Sequence, residues 1–229
     1  MTDEQRLQSI GERAAAEVEP GMIVGLGTGS TADAMIQALG VRVAAGLKVT
    51  GVTTSDRTSQ LAASLGIPLV PLDAVDTLDL CIDGADEIDP ELNVVKGRGG
   101  ALLWEKLTAR QAKRYIIIAS AEKLVDRLGT RLPLPVEIVP YGWHHTSAEI
   151  ARLDLVPELR ASAGNAPYVT DGGHFIVDCA SSGIDDARQL ARDLKSITGV
   201  VDHGLFIDMV DLVLTIDTAG DIHDRTRPV

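Results

Sequence analysis

Residues 22–39, MIVGLGTGSTADAMIQAL, set an apolar run, three glycines at alternate positions and a helical pattern in direct succession. A strand that breaks at a glycine turn and feeds a helix is the opening of a parallel β-α-β unit, since parallel neighbours need a crossover connection. The same alternation recurs. LKVTGVTT reads as a second strand, SDRTSQLAASLG as a helix stopped by Gly66, IPLVPL and LDLCID as two extended segments, and RYIIIAS as a β-branched run suited to a central strand. Ser30 and Thr31 offer N-caps to the first of these helices, and Gly40 a stop. Ahead of them, residues 4–18 carry Leu7, Ile10, Ala14 and Val18 on one helical face, ended by Pro20-Gly21. The prediction is an α/β fold with a mostly parallel sheet and right-handed crossovers.

The texture changes near Leu132. LPLPVEIVP is a proline-flanked strand, HTSAEIARL a helix, and APYVTDGGHFIVDC two strands joined at Asp171-Gly172-Gly173; DDARQLARDLKSI is helical. This βαββα order with an antiparallel hairpin predicts a separate, smaller α+β domain over residues 132–203. MVDLVLTID would then return the chain to the first domain, which comprises residues 1–131 and 204–229. A chain of 229 residues is long enough for both cores. Its apolar residues are mostly Ala, Val, Ile and Leu, with only 3% aromatic, which suits layered α/β packing.

A net charge of −12 argues against broad binding to nucleic acid or to an anionic membrane, because both need a basic surface. No apolar run reaches membrane-spanning length, and MTDEQRLQSIGER has acids where a signal peptide has basic and then apolar residues. A cytoplasmic protein is expected. Cys81 and Cys179, without CxxC spacing, read as two buried free thiols.

Two stretches carry chemistry. GLGTGSTA, Gly25 to Ala32, brings glycines that allow close backbone approach, helix-entrance N–H groups, and the hydroxyls of Thr28, Ser30 and Thr31, which suits a phosphate. It departs from the dinucleotide fingerprint in glycine spacing and lacks a Walker lysine; a tight turn that binds nothing is the alternative. TTSDRTSQLA repeats a hydroxyl-rich helix entrance, where Thr54 and Ser55 sit beyond a strand end. The second stretch, Asp83 to Lys106, holds Asp83, Asp86, Glu87 and Asp89, then Lys96, Gly97, Gly99, Gly100 and Glu105. Its glycine placement does not fit a calcium loop, which leaves a magnesium site or a solvated acidic turn. Lys96 beside carboxylates can stabilise charge developing on an oxygen while the acids handle protons. Glu105 either points back at the strand ends or is an exposed helical acid paired with Lys106 or Arg110. Lys123, after the IIIA run, is a phosphate contact or an ordinary surface lysine. Trp143-His144-His145 lacks metal-site geometry, since adjacent histidines diverge, and His174 and His203 receive no role.

GLGTGSTA, DGADEID and KGRGGALLWEK, in this order and spacing and with LPLPVEIVP beyond them, resemble ribose-5-phosphate isomerase of the A type. The resemblance implies a Rossmann-like α/β domain with a smaller α+β domain, a homodimer or homotetramer, a sugar phosphate as ligand, and neither metal nor organic cofactor. It places the substrate against Thr28, Gly29, Ser30, Thr31, Asp83, Gly84, Ala85, Asp86, Lys96, Gly97, Arg98, Gly99 and Lys123, and the proton acceptor on Glu105. Asp83 or Asp86 would assist ring opening and proton movement, and Lys96 would stabilise the enediolate. For that work the Glu105 pKa is expected nearer neutrality than a solvated glutamate's. Arg98 stands where many members have glycine, Trp104 where arginine is frequent, and Arg6 near the place of a phosphate-contacting lysine. Two rivals remain: a non-catalytic sugar-phosphate sensor and a nicotinamide-dependent oxidoreductase.

Overall fold

A computed structural model describes residues 1–227. The chain opens with α1 (Asp3–Ala15), β1 (Ile23–Leu26), α2 (Ser30–Ala44), β2 (Thr50–Thr53), α3 (Asp56–Ser64) and β3 (Leu80–Gly84). There follow β4 (Glu87–Ile88), β5 (Val94–Val95), α4 (Leu102–Arg110), β6 (Tyr115–Ser120), β7 (Leu134–Ile138), α5 (Trp143–Ala151) and β8 (Val156–Leu159). It closes with β9 (Phe175–Ala180), α6 (Ala187–Ser196), β10 (Val200–His203), β11 (Leu205–Phe206), β12 (Leu212–Ile216) and β13 (Ile222–Thr226). These elements form two compact units, one of residues 1–85, 104–123 and 209 onward, the other of 86–103 and 124–208.

The first unit is built on a six-stranded sheet in the order β13-β12-β6-β3-β1-β2. All its pairings are parallel except the last strand's, β13 against β12. Strand β6, the YIIIAS run, is central and has a parallel neighbour on each side, as its β-branched content predicts. Helix α1 starts at a capping box in which Thr2 and Gln5 satisfy each other's amides. Its Ile10 and Ala14 join Met35, Ile36, Leu39, Val24, Ile82 and Ile116 in one apolar core.

The second unit has a four-stranded antiparallel sheet in the order β10-β7-β9-β8 and a three-stranded one in the order β11-β5-β4. All five residues of β7 are buried, and α6, capped by Asp186, and α5 contribute Leu194 and Ile150 to the core over this unit.

The α/β class and the mostly parallel sheet stand as predicted, whereas several local readings do not, the hairpin-joined strand pair of the predicted βαββα order among them. Helix α2 runs through Gly40 to Ala44, and that glycine is a packing position and not a stop: a Cβ there would lie 2.9 Å from the Cβ of Leu65. Its N-cap is Gly29, with Ser30 already in the first turn. IPLVPL forms no strand; Leu69 makes only an isolated bridge to Gly51. The hairpin at 171–173 exists, with Gly173 N–H on the Thr170 carbonyl at 2.8 Å. Ahead of it, 166–169 contributes only isolated bridges, and VPEL supplies β8. Strand β13 was not foreseen. Residues 86–103 group with the second unit because β4 and β5 pair with β11.

Candidate functional site

The parallel strands of the first unit end on one edge of its sheet, and the predicted residues of that unit collect there, as ligands do in open α/β sheets. The turn after β1 supplies Gly27 to Thr31, the end of β3 supplies Asp83 and Gly84, and a short 3-10 turn after β6 ends on half-buried Lys123. Asp83 is wholly buried. Its Oδ1 accepts the N–H of Thr28 at 3.1 Å and that of Gly84 at 2.7 Å. This carboxylate occupies the space a side chain at residue 27 would need: a Cβ there would meet Oδ1 at 2.2 Å. Two residues on, Gly29 has φ +122, which turns the chain into α2. The amides of the first turn of α2 have no intrahelical acceptors and carry the positive end of its dipole.

Thr28 is less simple than its sequence context suggests. Its hydroxyl lies 2.7 Å from that of Thr54, 2.8 Å from Ser55 and 3.0 Å from Thr58. Thr54 and Thr58 in turn donate to the carbonyls of Leu26 and Gly27. The hydroxyl-rich entrance of α3 therefore braces the turn after β1 in addition to capping its own helix, through Thr58, which sequence reasoning passed over. Ser30 is exposed and Thr31 half-buried at the start of α2.

Glu105 lies in the first turn of α4 and is 3% exposed, so it is not the solvated, surface-paired acid of the alternative reading. Its charge and that of Asp83 both bear on the wholly buried Tyr115 hydroxyl of β6, whose pKa is held well above the usual range by desolvation, then by Asp83, Cys81 and Glu105. Two carboxylates within electrostatic reach of one buried phenol share one neighbourhood. Lys106, beside Glu105, is also buried, although a lysine there carried no signal in the sequence.

In the second unit, Lys96 follows β5 and is 3% exposed, with its N–H on the Gly204 carbonyl at 2.9 Å and its Nζ 5.7 Å from the Phe206 ring centre. Gly97 is buried; Arg98 and Gly99 are exposed. The Arg98 N–H donates to Asp86 Oδ2 at 3.0 Å. The acidic cluster does not act as one group. Glu87 turns inward and takes the N–H groups of Gly129, Arg131 and Leu132 at 2.5, 2.7 and 2.9 Å. Asp89 accepts from the Asn93 backbone and side chain, and burial raises its pKa against those bonds. Among the described residues no group of three or more His, Cys, Asp and Glu is arranged to hold a metal ion. Arg6 is paired with Asp3 one helical turn away, and His144 stacks on Trp143 at 3.7 Å.

The pattern of the family Ribose 5-phosphate isomerase A (phosphoriboisomerase A) matches residues 50–220. The chain belongs to that family. The matched span takes in Asp83 to Lys123, and the turn after β1 is covered by relatives that align over nearly the whole chain. Ribose-5-phosphate isomerase A of Thermomicrobium roseum is 49% identical over 218 residues, 94% of this chain and 92% of its own. That of Caulobacter vibrioides is 51% identical over 231 residues, 99% and 98%. Among solved structures, a D-ribose-5-phosphate isomerase in complex with phospho-erythronic acid superposes with TM-score 0.95 at 36% identity, covering 99% of this chain and 100% of the other. The Plasmodium falciparum enzyme gives 0.94 at 33% identity, covering 98% and 99%. These likenesses agree with the α/β fold, and no helix among the described residues is long and apolar enough to cross a membrane.

Proposed function

We infer that this chain is an intramolecular aldose–ketose isomerase that interconverts D-ribose 5-phosphate and D-ribulose 5-phosphate through an enediolate, the non-oxidative pentose phosphate reaction. The observation that carries the assignment of the base is Glu105, a helical glutamate kept from water in α4, whose charge, with that of Asp83, reaches Tyr115. A carboxylate withdrawn from solvent is a stronger base than a surface glutamate, which suits proton abstraction next to a carbonyl.

In this reading the substrate phosphate takes the first-turn amides of α2 and the hydroxyls of Ser30 and Thr31, with Thr28 and Gly29 shaping the turn and Lys123 adding charge. Glu105 removes the proton from C2 of the open-chain aldose and returns it to C1. Lys96 and the N–H groups of Gly97 to Gly99 stabilise the enediolate oxygen, and Asp83 and Asp86, with Gly84 and Ala85, serve ring opening and proton exchange between O1 and O2. None of these steps calls for a metal or an organic cofactor. The relative bound to phospho-erythronic acid supports the reading, because that molecule carries an acid at one end and a phosphate at the other, the two anionic handles of the enediolate. The assignment extends to a cytoplasmic location and to a homodimer or homotetramer.

Purified protein mixed with ribose 5-phosphate and nothing else should form ketose, followed by its absorbance or by nuclear magnetic resonance. Binding without conversion would favour a sugar-phosphate sensor, and conversion only with added nicotinamide would favour an oxidoreductase.

A further inference from the structure

The loop from Lys96 to Gly100 has little structure of its own. Gly97 and Gly100 take φ +110 and +82, and its internal bond is Gly100 N–H on the Gly97 carbonyl at 3.0 Å. What holds it comes from elsewhere in the second unit. Arg160, just after β8, has a side chain 14% exposed. Its Nη1 donates to the carbonyls of Gly97 at 2.9 Å and Arg98 at 3.1 Å. Its Nε and Nη2 fork onto Asp178 of β9, Nε at 2.8 Å from Oδ2 and Nη2 at 2.5 Å from Oδ1. A bidentate carboxylate fixes the plane of a guanidinium, so the hydrogens left over aim in a set direction.

Tyr168 completes the brace. Its N–H donates to the Arg160 carbonyl at 2.8 Å, and its ring lies 5.8 Å from the guanidinium carbon. Its hydroxyl stands 2.1 Å from where a Cβ on Gly100 would be, so that glycine is needed for the approach as well as for its φ.

The consequence concerns peptide planes. In a trans peptide the carbonyl and the N–H point in opposite directions. The Gly97–Arg98 peptide is gripped at both ends, its oxygen by Arg160 and its N–H by Asp86 Oδ2 at 3.0 Å. The next peptide is held at its oxygen by Arg160, which thereby also sets the direction of the Gly99 N–H. Backbone donors stabilise a developing oxyanion only if their direction is fixed before the reaction.

We propose that Arg160 is a positioning residue of the isomerase, oriented by Asp178 and Tyr168, which holds the Lys96–Gly100 loop so that the Gly99 N–H and Lys96 are preset for the enediolate. The proposal rests on the isomerase reading above. Arg160 does not touch substrate in this scheme, and it lies about sixty residues from the loop it holds, which is why no sequence motif marks it.

The test compares wild type with Arg160→Met and Arg160→Lys by steady-state kinetics and by hydrogen exchange of residues 96–100. Arg160→Met should lower kcat by about 30- to 100-fold, with KM moving less, as misplacing a catalytic group by about 1 Å does. The loop amides should exchange at least about tenfold faster while those of β7 and β9 stay protected. Millimolar guanidinium should restore part of the lost turnover. Arg160→Lys keeps the charge without the fork and should fall between; should Arg160→Met not fold, it carries the same readouts. Unchanged turnover, or a loss matched by a smaller folded fraction with unaltered loop exchange, would overturn the proposal. A wild type that converts no ribose 5-phosphate would sink the isomerase reading instead, and loop exchange would still decide whether Arg160 holds the loop.

Discussion

The backbone N–H of Thr28 donates to Oδ1 of Asp83 at 3.1 Å, which ties the turn after β1 to the end of β3 through one buried carboxylate. The contact is possible only because residue 27 has no side chain. Gly27→Ala should therefore cost about 1–3 kcal/mol, as other forced overpacking does, and should lower isomerase turnover by displacing Asp83. Gly29→Ala makes a comparison of a different kind: there the added Cβ meets nothing within 4 Å, and the cost is backbone strain alone, since φ +122 with ψ 167 is a conformation essentially reserved to glycine, at about 1–3 kcal/mol. Thermal melts and ketose formation on both variants check the pair. A Gly27→Ala protein with wild-type melting point and turnover would remove the close-packing argument.

Glu105→Gln keeps the size of a buried side chain while removing its basicity. Turnover should fall by roughly 10²- to 10⁴-fold, the usual worth of a positioned general base, with affinity for a phosphorylated sugar acid within about threefold of wild type, since substrate binding lies with other groups. Calorimetric titration beside the kinetic assay distinguishes these effects, and retained turnover would exclude Glu105 as the base.

Glu137 gives a pH test away from the proposed chemistry. It is 1% exposed on β7, with Oε1 2.9 Å from the Thr170 hydroxyl and 3.0 Å from His174 Nδ1. Desolvation raises its pKa, opposed by the His174 and Thr170 bonds. The neutral form is thus favoured by folding: its contribution is full below the ordinary glutamate range and is lost as pH rises through the folded value. Glu137→Gln has no such titration. Its melting point minus that of wild type should rise from about pH 4 to about pH 7; a flat or falling difference would contradict the shift.

Both cysteines are buried, and neither is in a disulfide. Burial, with the Asp178 charge adding to it, pushes the Cys179 thiol up to about 12, so almost none of it is thiolate at neutral pH. Iodoacetamide should leave Cys179 unmodified in the native protein at pH 8 and label it after denaturation, as mass spectrometry of the whole chain and its peptides will read.

Much of this molecule was legible along the chain because the relevant physics is local. Alternating apolar runs and glycine stops disclosed the parallel sheet, and the β-branched YIIIAS run disclosed its centre. The glycines at 25, 27 and 29 marked a turn that approaches something closely. Spacing that is regular within ten residues survives folding unchanged. Short elements were harder: VPEL carries two polar or turn-prone positions in four, and IHDRT of β13 is mostly polar, so neither has the periodicity that distinguishes a strand from a loop.

Burial and partnership were decided only when distant segments met. Sequence left Glu105 open between a surface acid and a base, since a helix face turns inward only if something covers it, and the fold covers this one. The acids of the 83–89 stretch looked alike as residues, yet Glu87 became an anchor for the backbone at 129–132 and Asp89 a partner of Asn93, while Asp83 holds the turn at Thr28. The Thr28 hydroxyl, which looked ready for a phosphate, is drawn among Thr54, Ser55 and Thr58. Arg160 gave no local sign at all. Hydrogen bonds and desolvation act over a few ångströms in space and take no account of separation along the chain, so the chemical type of each residue could be read in advance while its environment could not.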